Sequence, residues 1–298
     1  MVRVRRFIPL PSESILEAES TAQSIQPGRH LPGFFYLSRN MQILSSTEKQ
    51  RYQRHLMLEE IGEEGQSRIR NASVLVVGAG GLGCPVLQYL TTSGIGRLGL
   101  IDDDHIDISN LQRQVFYGFG DIGKMKSIVA TSRMQEMNRM VKVERIGGRL
   151  NPENALSLVS DYDLVADCTD NLETRYLISD ACVLADKTMV HGGVFRFEGL
   201  VTVFNHKGGP SYRCLYPHGE EHLSPAEMTG IYSIIPGIIG SLQVNEILKV
   251  ITGAGEVLSG SLLLFHALEN RFSVQRFQRV AQNFDKSYLR SITKVITI

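Results

Sequence analysis

Arg113, in the run Asn110-Leu111-Gln112-Arg113-Gln114, follows a glycine loop and an acidic strand end. That combination of residue types is where chemistry on a phosphate could be done. The loop is Gly78-Ala79-Gly80-Gly81-Leu82-Gly83, directly after the apolar run Val74-Leu75-Val76-Val77. Glycines there let backbone N–H groups approach a phosphate, and the N-terminus of the following helix adds a positive dipole. Asp102 ends the next apolar run, where a carboxylate grips ribose hydroxyls. Gly78, Gly80, Gly81, Gly83 and Asp102 are therefore the candidate nucleotide-binding residues. Loop and acid together do not separate NAD from ATP.

Arg113 and Lys126 make that separation. Lys124-Met125-Lys126 opens a predicted helix, so an ammonium can reach the nucleotide edge. A dehydrogenase holds its cofactor mainly by backbone. An adenylating enzyme must also spread the negative charge that builds on an α-phosphate and a leaving pyrophosphate, a task for guanidinium forks and Mg²⁺. Asp170 follows a third apolar run, at the strand end where ligands bind in parallel sheets. A carboxylate among phosphates makes sense chiefly as a Mg²⁺ ligand. Taken singly, Arg113 and Lys126 also read as solvated charges, and Asp170 as a helix cap. Lys124 reads as a surface charge, Asp167 as a structural acid and His55 as a structural histidine.

The elements that must position these residues alternate. Strand Val74–Val77, strand Leu98–Ile101, strand Val141–Ile146, strand Leu164–Ala166 and strand Met189–Val190 are separated by helices ending near 90, 138, 159 and 185. This order predicts a doubly wound, Rossmann-like, mostly parallel α/β sheet. Ser46 or Thr47 is expected to cap a charged N-terminal helical segment running to about Arg70. After Gly199 the pattern changes to an antiparallel extension, with strands at 200–205 and 261–265, a long surface loop over 206–229 and a helix over 234–251. Residues 1–40, broken by Pro9, Pro11, Pro27 and Pro32, read as a poorly ordered N-terminal arm, and 276–298 as a C-terminal tail.

Bulk properties narrow the function. Lys+Arg and Asp+Glu are both 31, so net charge gives no general pull toward nucleic acid or an anionic membrane. No uncharged run reaches membrane-spanning length, and the apolar stretch 231–248 reads as a buried helix. The four cysteines, Cys84, Cys168, Cys182 and Cys214, show no C-x-x-C spacing, so a zinc site and a disulfide framework are both unexpected. A reducing, cytoplasmic compartment is the expectation.

Several short motifs occur in order: Arg51-Tyr-x-Arg54, Glu64-Gly-Gln66, the glycine loop at 78–83, Asp102-Asp-Asp104, Asn110–Gln114, Gly123-Lys-x-Lys126 and Cys168-Thr-Asp-Asn171. Jointly they resemble the ThiF/MoeB/HesA family, over about residues 46–270. The resemblance implies an adenylation domain over residues 41–275. It implies a homodimeric, Mg-ATP-dependent adenylyltransferase acting on the C-terminal Gly-Gly carboxylate of a ubiquitin-like sulfur carrier, in molybdopterin or thiazole synthesis, with sulfur coming from a separate donor protein. By position, Asn110, Arg113 and Lys126 would contact phosphates, Asp170 would bind Mg²⁺, and Arg54 would reach the partner subunit's ATP. Relatives often carry two C-x-x-C pairs for zinc. Here Ser211 replaces one cysteine beside Cys214, and nothing after Arg271 restores the second pair, so no zinc is expected. Position 226 is Ala where many relatives have a cysteine, so a covalent step on that loop is not expected. The alternatives are adenylation of a tRNA base or peptide, an NAD-dependent oxidoreductase, and a non-catalytic ATP- and carrier-binding homologue.

Overall fold

The computed structural model describes residues 43–217 and 230–292. The expected arm at 1–40 and Ala226 lie outside the described residues. The chain opens with α1 (Ser46–Arg51), α2 (Gln53–Leu56) and α3 (Gly62–Asn71), followed by β1 (Ser73–Val77), α4 (Gly83–Ser93), β2 (Arg97–Ile101), α5 (Lys126–Met137) and β3 (Lys142–Ile146). Next come α6 (Ala155–Ser160), β4 (Leu164–Asp167), α7 (Leu172–Leu184), β5 (Thr188–Phe195), β6 (Glu198–Phe204) and α8 (Tyr212–Leu215). The described chain closes with α9 (Ile235–Thr252), β7 (Ser261–His266), β8 (Arg271–Arg276) and α10 (Lys286–Ile292).

The strands form one sheet in the order β3-β2-β1-β4-β5-β6-β7-β8. Pairings among β1 to β5 are parallel, and β5–β6, β6–β7 and β7–β8 are antiparallel. The doubly wound sheet with an antiparallel extension is thus the architecture present. β1 is buried along its whole length because both its faces are covered. Val74 and Val76 join a core with Leu87 and Leu90 of α4, Met134 of α5 and Ile239 and Ile247 of α9. Leu75 and Val77 point the other way, into a core with Val159 of α6, Ile178 of α7 and Tyr212 of α8. The period-2 alternation of one strand therefore feeds two helical layers. The crossover from β1 leads to β2 on one side, and the crossover from β3 returns to β4 on the other side of β1, which opens a crevice at the carboxyl ends of β1 and β4.

Some local expectations change. The cap of α1 is Ser45, not Ser46 or Thr47: Glu48 N–H donates to Ser45 Oγ and Ser45 N–H to Glu48 Oε2, a reciprocal capping box. Helix α1 ends at Tyr52, whose hydroxyl accepts from Asn138 Nδ2 at 2.9 Å, so Arg51 and Arg54 do not share one continuous helix. β5 is far longer than Met189–Val190 because it continues into a hairpin with β6. Within the expected loop at 206–229, α8 forms, and 218–229 lie outside the described residues. The apolar stretch at 231–248 is the interior helix α9, with Pro236 in its first turn and Gly253 in the left-handed C-terminal position. Among the described residues, no helix is long and apolar enough to cross a membrane.

Candidate active site

The glycine loop leaves β1 with Gly78 at φ +100°, a conformation that suits glycine, and a Cβ there would stand 2.8 Å from the Cys168 carbonyl oxygen. A Cβ on Gly83 would stand 2.1 Å from the Gly78 carbonyl oxygen. Gly83 therefore lets α4 start tight against the loop, and it does not line the crevice. Gly80 differs: among the described residues, the only atom within 4 Å of a Cβ built there is Gln114 Nε2, at 3.7 Å. No clash with the described residues forbids a side chain at 80, and Gly80 lines the crevice. Gly81 packs on Pro236 of α9.

A cleft of about 460 Å³ brings together Gly78, Gly80, Gly81, Asp102, Asn110, Arg113, Lys126 and Asp170. Asp102 Oδ2 accepts from the Ala79 N–H at 2.7 Å and Oδ1 from the Asp104 N–H at 3.0 Å, which locks the acid against the loop. Burial raises its pKa against the pull of those amides and of Lys126. Asn110 closes a 3₁₀ turn, Ile108–Asn110, by accepting from the Asp107 N–H at 3.1 Å. One turn on, Arg113 Nη1 donates to the Ser109 carbonyl at 3.0 Å, which aims a guanidinium along the cleft wall. Lys126 is no surface charge: it is 6% exposed, at the first residue of α5, and its Nζ donates to Asp104 Oδ2 at 2.8 Å. Lys124 is the surface lysine, paired with Asp121 at 3.1 Å.

The cap of α7 is Asn171, whose Oδ1 accepts from the Thr174 N–H at 2.9 Å. Asp170 is thereby released from the capping role that its position also allowed. It is exposed, lines the cleft and has no hydrogen-bond or ion-pair partner among the described residues. A bare carboxylate beside cationic side chains and an open loop fits a hard divalent cation carried with a nucleotide. Asp167 and His55 are structural, as expected. Asp167 is wholly buried against His191, and His55 Nδ1 lies 2.8 Å from Gln66 Oε1.

Arg54 is the predicted site residue that stands apart. It is exposed on α2 and does not line the cleft. Arg149, Gln114, Thr169 and Arg175 do line it, and sequence reading missed them. Arg149 follows the carboxyl end of β3, so the rule that marked Asp102 and Asp170 could have marked it as well. The two thiols beside the loop are poor nucleophiles: burial pushes Cys84 up to about 12 and raises Cys168 well above the usual thiol range.

Away from the cleft, Cys214, the one cysteine left at the first expected zinc pair, meets Ser211, Val280 and Asn283. Ser211 N–H, Val280 N–H and Asn283 Nδ2 donate to Cys214 Sγ at 3.4, 3.3 and 3.4 Å, and Ser211 Oγ lies 3.4 Å from it. One thiol ringed by N–H donors does not fit Zn²⁺, which needs four lone-pair ligands. Among the described residues, no group of three or more Cys, His, Asp or Glu could hold a metal ion.

Comparison with known proteins places the chain in a family and a fold. The ThiF family model matches residues 52–287. The chain is 46% identical over 232 residues to the sulfur carrier protein adenylyltransferase of Thermus thermophilus, covering 76% of this chain and 86% of that one. It is 47% identical over 235 residues to the adenylyltransferase and sulfurtransferase MOCS3 of Xenopus laevis, covering 78% of this chain and 52% of that protein. The chain thus spans about half the length of the MOCS3 relative. The fold also matches the crystal structure of E. coli MccB with ATP, with a TM-score of 0.68 at 24% identity, over 77% of this chain and 72% of that one.

Proposed function

The chain belongs to the ThiF family, and from that premise we propose that it adenylates the C-terminal Gly-Gly carboxylate of a ubiquitin-like sulfur carrier, in molybdopterin or thiazole synthesis. The observation that carries this reading is the cleft itself. An open glycine loop, a ribose-side acid, four cationic side chains (Arg113, Lys126, Arg149 and Arg175) and a carboxylate without a partner among the described residues line one cavity. The names of the Thermus thermophilus and Xenopus laevis relatives, both adenylyltransferases, support it.

In this reading ATP is the substrate. The loop N–H groups and the start of α4 receive its phosphates, and Asp102 holds ribose hydroxyls. A carrier carboxylate oxygen attacks the α-phosphorus, the bond from that phosphorus to the bridging oxygen of pyrophosphate breaks, and an acyl-adenylate remains. Arg113 and Lys126 stabilise the charge that grows on the α-phosphate and on the leaving group, and Asn110 orients the phosphates. For Lys126 this means exchanging its exposed partner Asp104 for phosphate. Asp170 would hold Mg²⁺, which supplies charge neutralisation when bound. Arg54 acts across a homodimer, since it stands away from its own cleft. A sulfur-donor protein then displaces AMP. The reacting carboxylate is its own nucleophile, so no cysteine is needed for activation. Residues 41–275 constitute the adenylation unit, and the ring of donors around Cys214 supports a chain without zinc.

The test is isotope exchange between pyrophosphate and ATP with a Gly-Gly-ended carrier. Exchange that requires both the carrier and Mg²⁺ is expected. A protein that binds ATP and carrier yet exchanges nothing would instead be a non-catalytic homologue.

A further inference from the structure

The turn that carries Asp170 is held from behind by Asp167, His191 and Gln243, which do not line the cleft, and at its rim by Thr169, Asn171 and Arg175, which do. His191 of β5 is 1% exposed, and its Nδ1 lies 2.6 Å from Asp167 Oδ2. The other carboxylate oxygen, Oδ1, accepts from the Thr169 N–H at 3.0 Å and the Thr169 hydroxyl at 2.6 Å. The Asp167 carbonyl accepts from Gln243 Nε2 of α9 at 2.8 Å, and the Thr169 carbonyl from Arg175 Nη2 at 3.1 Å. Asn171 caps α7 on the far side. Asp170 is therefore the exposed residue between two fixed ends of a four-residue crossing from β4 to α7.

Charge and packing explain why this support is rigid. A carboxylate removed from water needs an oriented donor on each oxygen. Burial opposes the charge on Asp167, but the bonds from His191 and Thr169 hold its pKa below the usual carboxylate value. Burial also lowers the pKa of His191, which keeps the ring neutral, with its single proton on Nδ1 facing the carboxylate. The ring cannot swing away. It packs edge-on to Tyr212 at 5.3 Å between centroids and lies 5.9 Å from Phe204. An apolar pair would fill this space without the desolvation cost of a buried carboxylate. The polar arms run forward to the turn that presents Asp170.

We propose that His191 is a positioning residue for the metal–nucleotide site, acting through Asp167 and Thr169 to fix the turn from which the Asp170 carboxylate faces the cleft. The assignment rests on the adenylyltransferase reading only in that Asp170 must meet a divalent cation brought with a nucleotide.

The test uses Mn²⁺ as a paramagnetic probe. Free Mn²⁺ is counted by electron paramagnetic resonance while the full-length protein is titrated in the presence of α,β-methylene-ATP. Nucleotide binding in EDTA is measured separately by calorimetry. H191L is expected to weaken Mn²⁺ binding about tenfold, the size seen when a partner behind a metal ligand is lost, while metal-free nucleotide binding stays at the parent's value. H191N, whose side-chain amide can donate in place of the ring N–H, should recover most of the loss. Thr169→Val removes only the forward hydroxyl and should shift Mn²⁺ binding in the same direction; it decides the matter if H191L does not fold. A folded H191L or Thr169→Val with the parent's Mn²⁺ affinity overturns the proposal. Equal loss of metal-free nucleotide binding would mark a general structural role and overturns it too. A parent chain that binds no nucleotide sinks the adenylyltransferase reading first, and this assignment with it.

Discussion

Gly80 and Gly83 sit in one loop and answer to different constraints. A methyl at 83 would meet the backbone carbonyl of Gly78 at 2.1 Å, and backbone cannot yield as a side-chain tip can. Gly83→Ala should therefore lower stability by more than about 2 kcal/mol, read as a drop in denaturation midpoint. Among the described residues, a methyl at 80 meets nothing closer than Gln114 Nε2 at 3.7 Å. Gly80→Ala should melt like the parent but bind ATP at least about tenfold more weakly, a loss of about 1.4 kcal/mol. Calorimetry showing parent-like ATP affinity in Gly80→Ala would remove the loop as the phosphate seat. The two glycines look alike in the sequence; the neighbours a side chain would meet tell them apart.

Two elements carry predictions of their own. The pairing of β2 with β3 places Arg97 between Glu144 and Asp161, with the Tyr162 hydroxyl donating to Glu144 at 3.0 Å. Hydrogen bonding from Arg97, against the cost of burial and with help from Lys142 and Tyr162, lowers the Glu144 pKa from about 4.5 to about 2. A carboxyl with a depressed folded-state pKa stabilises the fold above its unfolded pKa, and that contribution is lost as pH falls through the folded value. The parent should exceed Glu144→Gln by roughly 1–2 kcal/mol above about pH 5, allowing for solvent contact of the cluster, and the gap should close toward pH 2. Denaturant titrations across that range check it. The segment from β8 to α10 is tied down where Val280 and Asn283 donate to Cys214. Metal analysis of the purified chain should find zinc well below one per molecule, and EDTA should leave the melting temperature unchanged. How visible such elements were in the sequence depended on burial. β1 was legible because both its faces are covered, which forces an unbroken apolar run. β8 was not, because it is an exposed edge whose residues need only pair with β7, as Val274 does with Leu263, and so need no pattern. The cap of α7 was ambiguous because Asp170 and Asn171 are both capping types, and only the Asn171–Thr174 bond decides between them. Asp102 and Asp170 were readable from the ends of the parallel strands and Arg149 was missed there, while the support behind them was hidden, because His191 and Asp167 lie 24 positions apart and meet only through the β4–β5 register.

At the scale of the molecule, charge balance leaves placement to do what net charge does not. Lys+Arg equals Asp+Glu, so attraction for ATP must come from cations collected at one crevice. That crevice holds Arg113 and Lys126, and Arg54 stands outside it on α2, flanked by exposed Met57 and Leu58. Exposed Val115, Phe119, Ile122 and Ile128 add apolar surface on and just before α5. Apolar surface next to an unplaced arginine is what an isologous interface would cover while carrying that arginine into the neighbouring site. If so, a subunit lacking Arg54 has an intact cleft but gives its neighbour no finger, and a subunit lacking Asp170 has a damaged cleft but still lends Arg54. Arg54→Ala and Asp170→Ala should each be nearly inactive in pyrophosphate exchange. Mixed after unfolding and refolding together, random pairing makes half the dimers hybrid, each with one complete site, so about a quarter of the parent's activity should return. No recovery from a mixture that demonstrably exchanges subunits would place Arg54 outside the reaction and leave each cleft to work with its own residues alone.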